Sequence, residues 1–237
     1  MTILVGTSGW SYSHWRSSFY PKTFKQSQWL AYYASKFNTV EVNNSFYMAP
    51  QPSTLRLWAN IVPSNFIFAV KAWGLITHKR KLKNCEQNLL YFFGNLKSLG
   101  NKCGPILFQL PPNFHKNFER LKNFIKILPQ SYRYCFEFRH HSWWSDDIFD
   151  LLNANDIAFC IFELGMIKSP RVITTDFIYI RLHGEKAAYV GNYKLSSLLD
   201  WQSWVKAQNK SAHVYFDNTD VSTYAIQNAS SLIKLLS

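Results

Sequence analysis

The sequence predicts an α/β chain of the (β/α)8 TIM-barrel class, a single domain over residues 1–237, and three observations carry that prediction. Eight short apolar runs punctuate the chain, helical patterns separate most of them, and the polar residues inside the runs share one parity. Barrels of this class commonly form one domain of roughly 200–250 residues. Hydrophobic residues make up 47% and aromatic residues 17%, enough for a sizeable core and far from the composition of a disordered chain. No Ser-, Gly- or Pro-rich stretch marks a linker, and no repeat of fixed period occurs.

The strand-like runs are 3–7, 39–43, 66–71, 106–110, 134–138, 158–162, 177–182 and 212–216. After the first, residues 28–36 place Trp29, Tyr32 and Tyr33 in helical spacing with Phe37. Asn84 is placed to cap a helix with Leu89, Phe93 and Leu96 on one face, stopped by Gly100. Asn117 is placed to cap the next, with Leu121, Phe124, Ile125 and Leu128 inward and Pro129 just beyond. Ser145 precedes Asp146 and Asp147, acids suited to the positive end of a helix dipole, ahead of Ile148, Leu151 and Leu152. Residues 201–207 and 224–236 supply the last two helices. Residues 163–175 contain Gly165 and Pro170 and read as loop, so the helix after the sixth strand is expected to be missing or irregular. This alternation implies a parallel sheet. An open doubly wound sheet is the alternative, without a G-x-G-x-x-G or P-loop motif to support it, and nothing in the sequence names a cofactor.

The first residues, MTILVG, have no basic segment or long apolar stretch and read as a strand rather than a signal peptide. No run approaches the roughly 18 uninterrupted apolar residues of a membrane span, so no membrane partner is expected. Cys85, Cys103, Cys135 and Cys160 lack C-x-x-C spacing, which fits reduced thiols in a cytoplasmic protein better than disulfides or a zinc site. The formal net charge of +12 favours anionic partners, nucleic acid among them. The basic residues are nevertheless spread thinly. The densest group is His78-Lys79-Arg80-Lys81-Leu82-Lys83, and Lys116, Lys122 and Lys126 punctuate helices as solvated faces usually do.

Side chains of a strand alternate between two faces. Glu41 and Asn43 oppose Val40 and Val42; Glu137 and Arg139 oppose Tyr134, Phe136 and Phe138; Arg181 and His183 oppose Ile178, Ile180 and Leu182. By the same parity Gln109 opposes Phe108 and Leu110, and Lys71 opposes Val70. The polar parity concentrates toward the carboxyl ends of the strands, where barrel active sites lie. Buried unpaired charges cost several kcal/mol each, so Glu41, Lys71, Glu137, Arg139, Arg181 and His183 must pair, meet water or receive a ligand.

Glu41, Glu137 and His183 are the candidate proton carriers. Lys71, Arg139 and Arg181, with His78, suit an anionic group; Asn43, Gln109 and Asn218 offer orienting hydrogen bonds. Trp10, Tyr12 and Trp143 stand in rim loops and would stack on a ligand ring, the plainer reading of each being packing. The leading expectation is an enzyme, a hydrolase or an isomerase, using acid–base chemistry on a small phosphate-bearing substrate. A nucleic-acid-binding or nucleic-acid-processing protein is the alternative. A structural salt-bridge network is the plainer one, for instance Glu137 with Arg181. Paired carboxylates also suit a glycosidase, although the neighbouring cations favour a phosphorylated over a neutral sugar. Glu41, Glu137, Glu163, His183 and Asp217 form a conceivable metal set, which the same cations oppose, and no metal site is assigned.

Several motifs match a known pattern. They are GTSGWSY at residues 6–12 with Trp15 and Phe19-Tyr20-Pro21, FNTVEVN at 37–43 with Ser45-Phe46-Tyr47, and Lys71-Ala72 with Ile76-Thr77-His78. GPILFQLPP at 104–112, EFRH at 137–140 with Ser142-Trp143, YIRLHG at 179–184 and Asn228-Ala229 follow in order. Across essentially the whole chain the sequence resembles the YecE-like family, a domain family of unknown function. The resemblance implies a TIM-barrel fold and no particular reaction. Two departures stand out: Glu163 replaces an Asp expected near the end of the sixth strand, and residues 218–223 lack glycines expected after the last.

Overall fold

A computed structural model of the chain describes residues 1–220 and 222–237. Its strands are β1 (Ile3–Thr7), β2 (Thr39–Val42), β3 (Ile67–Lys71), β4 (Cys103–Leu110), β5 (Tyr134–Phe138), β6 (Ile157–Leu164), β7 (Ile167–Lys168), β8 (Phe177–Leu182) and β9 (Ser211–Phe216). The helices are α1 (Trp29–Ala34), α2 (Pro52–Ile61), α3 (Glu86–Leu96), α4 (Phe118–Lys126), α5 (Asp146–Asn153), α6 (Leu195–Ala207) and α7 (Tyr224–Leu236). Among the described residues the strand order is β1-β9-β8-β6-β5-β4-β3-β2, with β7 attached to β6. Ser8 forms a parallel bridge with Glu41, and the Gly9 amide donates to the Glu41 carbonyl at 2.7 Å, so the first and last strands of that order meet. This is the order of a (β/α)8 barrel.

The chain divides into two compact units. The first comprises Met1–Glu41, Ile161–Ser169 and Asp176–Ser237, and the second Val42–Cys160 and Pro170–Thr175. In the first unit, β1, β8 and β9 pair in parallel register, Val5 with Val214 and Ile180 with Val214. Gly6 permits the close approach of β1 to β2, because a Cβ there would lie 2.3 Å from the Thr39 carbonyl oxygen. An aromatic group covers the outer side: Tyr20 stacks on Trp29 at 4.7 Å and Tyr33 on Phe37 at 4.8 Å.

In the second unit, β4 and β5 pair from Ile106–Tyr134 to Leu110–Phe138. Their apolar parity becomes a ladder of rings, with Phe108, Phe136 and Phe138 successively stacked at 5.1 and 5.9 Å. Phe124 of α4 meets Phe108 edge-on at 5.2 Å, so the helix covers that face. Every residue of β2, β5 and β8 is buried, as parallel strands covered on both faces require.

The strand runs fall within a few residues of the expected ones, and no helix interrupts Glu163 to Thr175. There β6 turns at Gly165 (φ 58°) and folds back as β7. Side chains replace the missing helix's service to the backbone. The Phe162 amide donates to Ser169 Oγ at 2.8 Å in the first unit. The Phe159 amide donates to Thr174 Oγ1 at 2.8 Å in the second. Asn117 caps α4 as expected, its Oδ1 accepting from the Arg120 amide at 3.0 Å. Asn84 does not cap α3: it adopts φ 52°, and Cys85 precedes the helix instead. Ser145 stands before α5, but its hydroxyl donates to Asp147 Oδ1 at 2.7 Å rather than capping a backbone amide. Gly100 breaks helical geometry just beyond α3, as read. The sequence reading missed α2, which Pro52 opens from its first position.

Candidate functional site

The predicted polar residues fall in both units. In the first unit Glu41 is fully buried and wrapped in donors. It accepts from Ser8 Oγ at 2.6 Å, Tyr179 OH at 2.7 Å, Arg181 Nη2 at 2.6 Å and Arg181 Nε at 2.9 Å. Arg181, also fully buried, reaches Asp217 Oδ2 through Nη2 at 3.2 Å and His183 Nε2 through Nη1 at 3.2 Å. A guanidinium only donates, so His183 Nε2 accepts and the ring proton sits on Nδ1. That nitrogen lies 2.9 Å from Asp217 Oδ2, at ion-pair distance but out of line for a hydrogen bond. Tyr12 donates to the Ser8 carbonyl at 2.5 Å. Burial first, then the Asp217 carboxylate, raises its phenol well above the usual range, so it remains a donor.

Trp10 and Asn218 are buried in the same unit. The Trp10 carbonyl accepts from Tyr20 OH at 2.5 Å. Asn218 Nδ2 donates to the Gly191 carbonyl at 2.7 Å and to Asn228 Oδ1 at 2.9 Å, bracing a loop against α7.

In the second unit, register places Gln109 beside Glu137 on adjacent strands. The Glu137 carboxylate is fully buried and accepts from Arg139 Nε, with Cys160 Sγ 3.8 Å from its other oxygen. Ser45 Oγ sits between the carbonyls of Val42 and Lys71, at 2.8 and 2.5 Å, and ties the end of β2 to the end of β3. Lys71 Nζ lies 4.6 Å above the Phe46 ring, and the His78 ring meets Phe46 edge-on at 4.7 Å. His78 stands on a single π-helical turn, Leu75–Lys79, a distortion often found at functional sites. Beyond it Lys81, Leu82 and Asn84 hold φ of 47°, 67° and 52°, strain that the surrounding structure must sustain.

Burial and then the Lys71 ammonium lower the pKa of His78 to about 4; Glu137 opposes this, while Arg139 and Lys81 reinforce it. Four charged neighbours thus lie near enough to act on the charge of His78. Asn43 Oδ1 is buried without a hydrogen-bond partner among the described residues. Trp143 does not join this group as a stacking surface. It is fully buried, donates from Nε1 to the Phe114 carbonyl at 2.6 Å and stacks on Phe138 at 4.9 Å, which is packing.

Arg181 meets Glu41 and Asp217, and Glu137 meets Arg139. Sequence reasoning missed Ser8, Tyr179 and Phe46 and assigned Asp217 only to a metal set. Tyr179 was within reach of parity, since it shares a strand face with Arg181. Phe46 carries no such signal. No group of three or more His, Cys, Asp or Glu among the described residues is arranged to hold a metal ion.

Strand order and polar strand ends together define an α/β barrel with charge gathered at its carboxyl-terminal strand ends. The family described as "Protein of unknown function DUF72" matches residues 4–237, and the chain belongs to it. It is 27% identical over 144 residues to the UPF0759 protein YecE of Escherichia coli, a stretch covering 60% of this chain and half of YecE. It is 26% identical to the UPF0759 protein YunF of Bacillus subtilis over 99% of this chain and 94% of YunF. The crystal structure of a DUF72 family protein from Thermotoga maritima superposes with a TM-score of 0.89 at 27% identity, covering 100% of this chain and 99% of that one. The expected family and barrel class are both borne out. Among the described residues no helix is long and apolar enough to cross a membrane.

Proposed function

We propose that the chain is an enzyme, of hydrolase or isomerase type, applying acid–base chemistry to a small phosphate-bearing substrate at the carboxyl ends of β3, β4 and β5. The observation that carries this reading is the set of cations acting on His78 alongside Glu137. Lys71, Arg139 and Lys81 all act to keep His78 neutral, its pKa lowered to about 4 by burial and then by Lys71. Beyond burial, the cations that act against a proton on His78 favour an anion such as phosphate. Lys71 and Arg139 hold the anion, Asn43 and Gln109 orient the ester, and Glu137 carries the proton.

Glu41 and His183 fit a framework role better than proton transfer. Glu41 is saturated by Ser8, Tyr179 and Arg181, and both ring nitrogens of His183 face partners. The four cysteines form no disulfide among the described residues, which suits a reducing compartment, and a cytoplasmic location belongs to this proposal.

Calorimetric titration with inorganic phosphate tests the reading. Wild type binds, and Lys71→Met, which leaves the Glu137–Arg139 pair in place, weakens binding about tenfold or more, as loss of one charged hydrogen bond of about 1.5–3 kcal/mol implies. Glu137→Gln retains binding and loses turnover. Failure of wild type to bind phosphate would sink the proposal. Nucleic acid is the competing ligand on the +12 charge. It predicts retention on DNA or RNA that falls steeply with salt, without selective binding of small phosphates.

A further inference from the structure

We infer that the substrate's phosphate is esterified to a group bearing a flat aromatic or heteroaromatic ring, and that Tyr47 is the surface on which the ring stacks. This rests on the phosphate site proposed above and adds the chemistry of the other end of the ligand. Tyr47 is 84% exposed and Met48 is 66% exposed, in the segment that directly follows β2. Isolated exposed apolar residues are ordinary. These two are not on a loosely placed loop. The Tyr47 amide donates to the Asn44 carbonyl at 3.1 Å, closing a 3-10 turn over Asn44–Phe46. Ser45 Oγ anchors the same turn to the Val42 and Lys71 carbonyls.

The turn also brings Phe46 against both the exposed ring and the cation. The rings of Phe46 and Tyr47 meet edge to face at 5.3 Å, interplanar angle 89°, while Lys71 Nζ stands 4.6 Å over the same Phe46 ring. Gly74 leaves room for this placement, since a Cβ there would lie 2.9 Å from the ring carbons of Phe46. Phe46 is therefore packed and engaged, and Tyr47 presents its ring to solvent next to it. Asn43, one turn earlier, supplies a buried acceptor, Oδ1, without a donor among the described residues. A ligand that engages all three features has an anion at Lys71, a hydrogen-bond donor for Asn43 and a ring for Tyr47. Polar groups alone would leave the aromatic surface wet; an aliphatic ester would cover it with less contact than a stacked ring.

Titrations with inorganic phosphate, glycerol 3-phosphate and phenyl phosphate separate the outcomes, in wild type, Tyr47→Ala and Tyr47→Phe. The inference expects phenyl phosphate to bind wild type about tenfold more tightly than glycerol 3-phosphate. That ratio collapses toward one in Tyr47→Ala and survives in Tyr47→Phe, which keeps the ring. If both esters bind equally, or if the ratio is unchanged in Tyr47→Ala, the ring is not recognised here and this inference falls while the phosphate site stands. If none of the three ligands binds wild type, the phosphate site falls and takes the inference with it. Because Tyr47 is so exposed, its truncation leaves the fold intact, and thermal unfolding of the variant verifies this.

Discussion

The Glu41–Arg181 group and the Glu137–Arg139 group are built from the same residue types on the same kind of strand, yet they have opposite surroundings. Around Glu41 every strong charge meets an opposite charge or a hydroxyl: Ser8 and Tyr179 on the carboxylate, and a second carboxylate, Asp217, on the guanidinium. Near Glu137, burial and then Lys71, with Arg139 and Lys81, hold His78 down to about 4. The first arrangement uses its charges on itself. The second sets three cations about one histidine and one carboxylate. Buried charge is thus no guide to catalysis until its partners are counted.

The largest effect expected from breaking this contrast is on stability. Arg181→Leu removes the partner of a fully buried carboxylate and lowers unfolding free energy by about 3–5 kcal/mol; equilibrium denaturation measures it. Lys71→Met, half-buried and beside an aromatic ring, changes stability far less, within about 0.5–1 kcal/mol, the range of cation–π contacts at exposed sites. Similar losses in the two variants would erase the distinction between framework and site.

A smaller effect follows from His78. Its folded pKa of about 4 lies below the ordinary value of 6.5, so between those pH values the unfolded chain binds the extra proton. Stability contributed by keeping His78 neutral is therefore lost as pH falls from 6.5 toward 4, and it is regained as pH rises. His78→Gln flattens that portion of the stability–pH curve. Bound phosphate raises the His78 pKa by offsetting Lys71 and Arg139, a shift that histidine NMR titration detects. An unchanged titration with phosphate present would place the anion elsewhere. The smallest effect calibrates the others: Asn117→Ala removes the cap of α4, distant in kind from both groups, and costs about 1 kcal/mol by denaturation.

Local rules made much of this molecule legible. Strand runs, the absent helix between Glu163 and Thr175, and the Asn117 cap all follow from patterns spanning a few residues. Where local rules failed, the backbone was responding to something else. Asn84 adopts a left-handed conformation in a strained segment instead of capping α3. Trp143 looked like a rim aromatic because a loop residue's burial depends on what packs over it, here Phe138 and Phe114.

What the sequence determined by itself was the face of each charged residue, because side chains alternate along a strand whatever the strand's neighbours are. Parity alone set Glu41, Glu137, Arg139, Arg181 and His183 opposite the apolar rows. Only tertiary structure decided which charge met which. Arg181 reaches Glu41 across 140 positions of chain, a pairing set by the register and meeting of β8, β9, β1 and β2. Partner identity then decides whether a buried charge is already satisfied or still attracts a ligand, since Coulombic interactions depend on separation in space and on burial rather than on separation in sequence.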